Sequence, residues 1–127
     1  MKKQAIRIDP TRRVVEAITV DGIEEMYRAM QCETFAAPYV MDNEDTLYAD
    51  DEGLVNGHWG PNDFFQIDGY PEPMIGIALV LGANEEGESV DARSTVEDIR
   101  ARVTFMDIAA VRAMAAAERS HETYPDR

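Results

Sequence analysis

Apolar and polar residues alternate from the start of the chain. Gln4–Ile8 reads as a short strand that Asp9-Pro10 breaks, and the β-branched run Arg13–Val20 reads as a second strand. The connection Asp9–Arg12 is tight, so the two strands are expected to form a hairpin. Asp21-Gly22-Ile23-Glu24 then has the form of a capping box, with Asp21 at the N-cap and Glu24 at the third helical position. Ile23, Met26, Tyr27 and Met30 follow at helical spacing, which predicts an amphipathic helix to about Gln31.

From Thr34 the pattern becomes extended. Phe35–Met41 and Thr46–Ala49 flank the acidic turn Asp42–Asp45, the arrangement of a second hairpin. Turn signals follow at Asp50-Asp51-Glu52-Gly53, Asn56-Gly57 and Gly60-Pro61-Asn62. Phe64–Ile67 fits a strand or a single helical turn. Met74–Leu81 is apolar at successive positions, the mark of a strand covered on both faces, and is expected to be the central strand, ended by Gly82 and the polar run Asn84–Glu88.

Ser94 and Glu97 form a second capping box ahead of a helix through Ile99. Val103–Met106 then looks like a strand, and Asp107 opens an alanine-rich helix to Glu118. The same residues also make one continuous helical stripe, Val96, Ile99, Val103, Met106, Ala110, Met114 and Ala117. Asp107 as a fresh cap favours helix–strand–helix. Together these elements predict an α+β fold, with a mostly antiparallel sheet and two or three helices, in a single compact domain over residues 1–119 with a flexible tail at 120–127.

The charge pattern changes the picture most. Residues 29–92 hold fourteen Asp and Glu and no Lys or Arg, whereas the net charge of all 127 residues is −13. Segregation of this kind disfavours nucleic acid and anionic membrane as partners and favours a basic protein surface. Solubility alone is the plainer explanation of the same charge. The apolar fraction of 45% supports a core, and one cysteine excludes an internal disulfide framework and suits a reducing compartment. The basic N-terminus lacks an apolar segment of signal-peptide type, and no apolar run approaches the ~20 residues of a membrane-spanning helix. A cytoplasmic location is the expectation.

Candidate chemistry is sparse. Asp50, Asp51 and Glu52 are the densest acidic cluster, with Glu85, Glu86 and Glu88 as a second group. Both are read as parts of one acidic docking face, against the plainer reading of solvated loops. An EF-hand starting at Asp42 fails, because its fifth and sixth positions are Thr46 and Leu47. His58, Trp59 and Asn62 share a Gly- and Pro-containing loop and form an alternative ligand site, in which His58 would serve as a base and Trp59 as a stacking platform. No second catalytic group is specified by spacing. Cys32 suits a buried thiol, and two histidines with one cysteine do not make a zinc site. No phosphate-binding glycine pattern occurs, so no metal, cofactor or catalytic residue is indicated.

Leu47–Leu54, with its Glu52-Gly53 pair, then Asn56-Gly57, Asn62 and Met74-Ile75-Gly76 leading to Leu79-Val80-Leu81-Gly82, resembles the family of small proteins termed domain of unknown function 3846. The likeness covers about residues 4–90 and leaves 93–127 unexplained. It implies a small accessory protein of phages, plasmids and related mobile elements, with no established activity. The reading is therefore a non-enzymatic acidic protein that docks on a basic partner, with the His58-Trp59-Asn62 loop as a small-molecule or hydrolase alternative.

Overall fold

In the computed structural model, which describes residues 2–53 and 59–122 (side chains in the last helix to Ala117), β1 (Lys3–Asp9) and β2 (Val14–Val20) form the expected antiparallel hairpin. Arg13, in the left-handed region at φ 57°, closes its turn. The Asp9 carboxylate accepts from the Arg12 backbone N–H at 3.2 Å and from its guanidinium at 2.8 Å. The hairpin leads into α1 (Ile23–Met30), then the second hairpin, β3 (Phe35–Val40) and β4 (Thr46–Asp50). Next come β5 (Phe64–Ile67), β6 (Met74–Ile75), β7 (Ala78–Ala83), β8 (Ser89–Val90), α2 (Val96–Arg102), β9 (Val103–Met106) and α3 (Ile108–Glu122). The fold is α+β with antiparallel pairing throughout.

Six strands make the main sheet, in the order β2-β1-β7-β4-β3 with β8 paired to β7, and β6-β5-β9 make a smaller one. Alternation sorts the side chains of the main sheet onto two faces. Ala5, Val20, Leu79 and Leu81 meet Met26 and Met30 of α1, with Phe35 and Tyr48 beside them. Ile6, Ile8, Val15, Leu47, Ala78 and Val80 meet Phe65 and Ile67 of the small sheet and Ile99 of α2. Because β7 is covered on both faces, its apolar run is continuous.

Four sequence expectations are corrected. Met74–Leu81 is not one strand: Gly76, at φ 92°, turns the chain out of the small sheet and into the main one, so Met74–Ile75 and Ala78–Ala83 belong to different sheets. Gly82 does not end the strand either, since it pairs with Val90 and β7 runs on to Ala83. The first helix is capped by Gly22 with no side-chain bond, and Glu25, not Glu24, accepts from the Asp21 N–H at 2.8 Å. The second capping box is Thr95 with Asp98, one residue beyond Ser94 and Glu97, because the Ser94 hydroxyl is spent on Asp45. Phe64–Ile67 resolves as a strand, residues 94–119 resolve as helix–strand–helix, and α3 extends past residue 120 to Glu122. Among the described residues no helix is long and apolar enough to cross a membrane.

Two polar networks stitch these layers. Asp45, with 0% exposure, accepts from the backbone N–H groups of Arg93 (2.9 and 3.1 Å) and Ser94 (2.8 Å) and from the Ser94 hydroxyl (2.7 Å). On the α1 face Arg7 stands opposite Glu16 in the hairpin register and donates to it at 2.8 Å, and Arg12 binds the same carboxylate oxygen. Removing a buried carboxylate leaves its donors unpaired. Asp45→Ala is therefore expected to lower stability by about 3 kcal/mol, measured by urea denaturation. At Glu16, burial opposes the charge, but bonds and charges from Arg7 and Arg12 outweigh it and hold the carboxyl below its ordinary range. A depressed folded value contributes stability that is complete above the ordinary range and is lost as pH falls through the folded value. The difference in urea midpoint between the protein and Glu16→Gln is thus expected to be full at neutral pH and to shrink as pH falls through the carboxylate range.

Candidate functional site

The end of β4 is where the densest acidic cluster meets structure that the sequence did not reveal. After Ala49, Asp50 starts a tight turn: its Oδ1 accepts from the Glu52 N–H at 2.9 Å, an Asx turn, and its carbonyl accepts from the Gly53 N–H. The Asp51 N–H donates to the Thr34 carbonyl at 3.2 Å, which ties the turn to the chain entering β3. The other Asp50 oxygen, Oδ2, accepts from the Trp59 indole N–H at 2.7 Å. Trp59 packs against Gly76, where a Cβ would sit 2.6 Å from its ring, and a Cβ at Gly53 would sit 2.6 Å from Ile75 Cγ2. Any side chain at either glycine would force these contacts apart.

The packing leaves a cleft of about 360 Å³. Ala36 and Pro38 of β3 and Pro73, Met74 and Ile75 around β6 form its apolar walls, and Asp50, Asp51, Glu52 and Gly53 close one side. Among the described residues none of these three carboxylates is in an ion pair. The neighbouring edge strand β3 carries Pro38 and a register shift between Ala36 and Tyr39. Both features discourage another chain from pairing with its backbone, so recognition here falls to side chains and charge.

The second acidic group stands elsewhere. β4 and β7 are antiparallel, with Thr46 beside Leu81 and Tyr48 beside Leu79, so the Asp50 turn and the hairpin after Ala83 lie at opposite ends of the pair. In that hairpin Asn84 Oδ1 accepts from the N–H groups of Glu86 and Glu88, and Arg93 donates to the Ala83 carbonyl at 2.8 Å. Asp50, Asp51 and Glu52 are brought together; Glu85, Glu86 and Glu88 are brought together at the far end, beside a cation. The Asp42–Asp45 turn also belongs to that far end, because Val40 pairs with Thr46 there.

His58 lies outside the described residues. Trp59 points inward to Asp50 and Gly76, and Asn62 is exposed next to Pro61, whose carbonyl accepts from the Ile108 N–H. Asp63, which the sequence places in the same loop as His58, Trp59 and Asn62, holds this loop: its carboxylate accepts from the Gly60 N–H at 2.7 Å and from the Thr11 hydroxyl at 2.9 Å. Among the described residues no three His, Cys, Asp or Glu side chains are grouped to hold a metal ion.

Cys32 follows α1 on the other face. Burial pushes its thiol up to about 11, and the negative charge of Asp50 adds to the shift. A thiol of this kind is protonated at neutral pH and is a poor nucleophile. Alkylation of the native protein by iodoacetamide is expected to rise with a midpoint near pH 11, and Asp50→Asn to move that midpoint down. A midpoint unaffected by the substitution would separate the two groups electrostatically.

The model of one protein family, described as Domain of unknown function (DUF3846), matches residues 1–104. No curated protein and no solved structure matches the chain. The match extends past the second hairpin and the sheet-switching Gly76 to include α2 and β9 as far as Thr104, and leaves α3 outside. Gly53 and Gly76, anchors of the resemblance seen in the sequence, are the positions where Ile75 and Trp59 leave no room for a side chain. On this match the chain belongs to the DUF3846 family.

Proposed function

We propose that this protein is a non-enzymatic accessory factor, of the kind carried by phages and plasmids, which docks on a basic segment of a partner protein through the Asp50–Glu52 end of its main sheet. The observation that carries the reading is the cleft itself. Three carboxylates with no described ion-pair partner stand beside apolar walls, in a stretch of sequence that has no Lys or Arg from residue 29 to residue 92. Clustered carboxylates repel one another, and a cationic side chain from a partner relieves that repulsion while its stem covers the apolar wall. A phosphate backbone would be repelled by the same charges. The docking surface is thereby narrowed to one end of the sheet, and Glu85, Glu86 and Glu88 are assigned to solubility.

The small-molecule alternative through His58, Trp59 and Asn62 draws less support. The Trp59 ring and indole N–H are used in packing on Gly76 and bonding Asp50, which is a structural role.

Partners captured from host lysate at low salt provide the test. Docking is expected to weaken as salt rises, since exposed charges are screened beyond ~8 Å at physiological ionic strength. Changing Asp50, Asp51 and Glu52 together to Asn, Asn and Gln should weaken it by about tenfold or more. The matching change of Glu85, Glu86 and Glu88 to Gln should leave it nearly intact, as should His58→Ala. Binding that ignores salt and the first triple change, yet collapses with His58→Ala, would place the function in the other loop.

A further inference from the structure

The end of the main sheet that carries the acidic turn also carries a basic one. β1 pairs with β7 through Ile8 and Ala78, and β4 pairs with β7 through Tyr48 and Leu79. The β1–β2 turn and the Asp50 turn therefore leave the sheet at the same end. β7 stands between β1 and β4, so the two turns are set about 10–14 Å apart by the spacing of strands. Side chains bridge the gap. The Thr11 hydroxyl at the hairpin tip donates to Asp63, which accepts from the Gly60 N–H, and the adjoining Trp59 donates to Asp50.

The charges at this end are not equally engaged. Arg12 is paired with Asp9 and Glu16. Arg13, the next residue, is exposed, and among the described residues its side chain has no hydrogen bond or ion pair. Across the sheet end, both Asp50 oxygens are bonded, one to the Glu52 N–H and one to the Trp59 indole. Asp51 and Glu52 are exposed, and their carboxylates have no ion-pair partner among the described residues. A free cation beside free anions meets the condition for a two-fold contact, because each copy can offer its cation to the other's anions. Arginine suits this cleft, since its planar fork matches a carboxylate and its stem can lie along Ala36, Pro38 and Ile75.

We propose that a second copy of this chain occupies the acidic cleft: two copies pair end to end about a two-fold axis, with Arg13 of each copy reaching Asp51 and Glu52 of the other. The inference rests on the reading of the cleft as a surface for cations, and it adds that a basic partner docks by displacing the second copy. The net charge of −13 on each copy opposes pairing only weakly at physiological ionic strength, where exposed charges are screened beyond ~8 Å.

Sedimentation equilibrium of the full chain at physiological ionic strength tests the proposal. A concentration-dependent monomer–dimer equilibrium is expected, and Arg13→Glu should weaken it by about tenfold or more. Asp51→Lys with Glu52→Lys should weaken it as much, although this double change lowers the net negative charge and so lessens general repulsion. Mixing the two variants should restore the dimer, because an acidic tip then meets a basic turn and Arg13 meets an intact acidic one. A parent that stays monomeric at every concentration would overturn the proposal. So would a dimer that neither variant weakens, or a mixture that stays monomeric while both variants keep the far-UV spectrum of the parent. Binding of a tetra-arginine peptide, read through the fluorescence of the single tryptophan, Trp59, reports on the cleft separately. A monomeric parent that binds the peptide would remove the second copy and leave the cleft reading standing; one that does not bind it would remove both.

Discussion

The Asp45 carboxylate joins the turn between β3 and β4 to the segment that leads into α2. It ends the turn between β3 and β4, where its own backbone carbonyl accepts from the Met41 N–H and its own N–H donates to Asn43. Its side chain reaches across 48 and 49 residues of sequence to the backbone of Arg93 and Ser94. That contact places Thr95 for its capping box and so aims α2, whose Ile99 completes the core against Ile6, Ile8 and Val15. A buried carboxylate is costly unless its lone pairs are filled, and here they are filled by groups that would otherwise lack partners themselves. The cost and the benefit fall on one geometry, so the two halves of the chain have a single way to meet.

Gly76 provides the complementary constraint. Its positive φ lets one apolar segment serve two sheets, and its missing side chain admits the Trp59 ring. Trp59 then bonds Asp50, and Ile75, its neighbour in β6, packs on Gly53. These contacts set the acidic turn against the apolar strand end, and the cleft between them follows from that arrangement. The negative charge and the apolar wall are each commonplace; their adjacency is what makes a surface that suits a cationic side chain.

Charge along the chain and charge in space prove to be different quantities. A stretch with no Lys or Arg for sixty-four residues suggested one acidic face. Folding instead sends its two densest clusters to opposite ends of β4 and β7 and brings Arg93, from beyond the stretch, to the far one. The same folding gathers Lys3, Tyr48 and Ser89, far apart in sequence, around one cavity beneath α1. Antiparallel pairing is the cause, because it sends consecutive turns to alternating ends of a sheet.

The sequence by itself determined the local elements and the class. Alternation over residues 4–8 and 13–20 and helical spacing from Ile23 to Met30 report which side of an element is covered, the cap at Asp107 reports where an element begins, and all of that information is local. The family pattern was legible for a related reason: Gly53, Gly76 and Gly82 sit where a side chain would collide with its surroundings. Only the tertiary structure decided what covers each face. An apolar run such as 74–81 reads the same whether one strand is buried on both faces or two strands are parted by a glycine, since burial is all that the pattern encodes. Asp45 looked like one more turn acid because its donors lie almost fifty residues away. The acidic cleft and the cavity beneath α1 are likewise products of long-range packing, which local pattern cannot register.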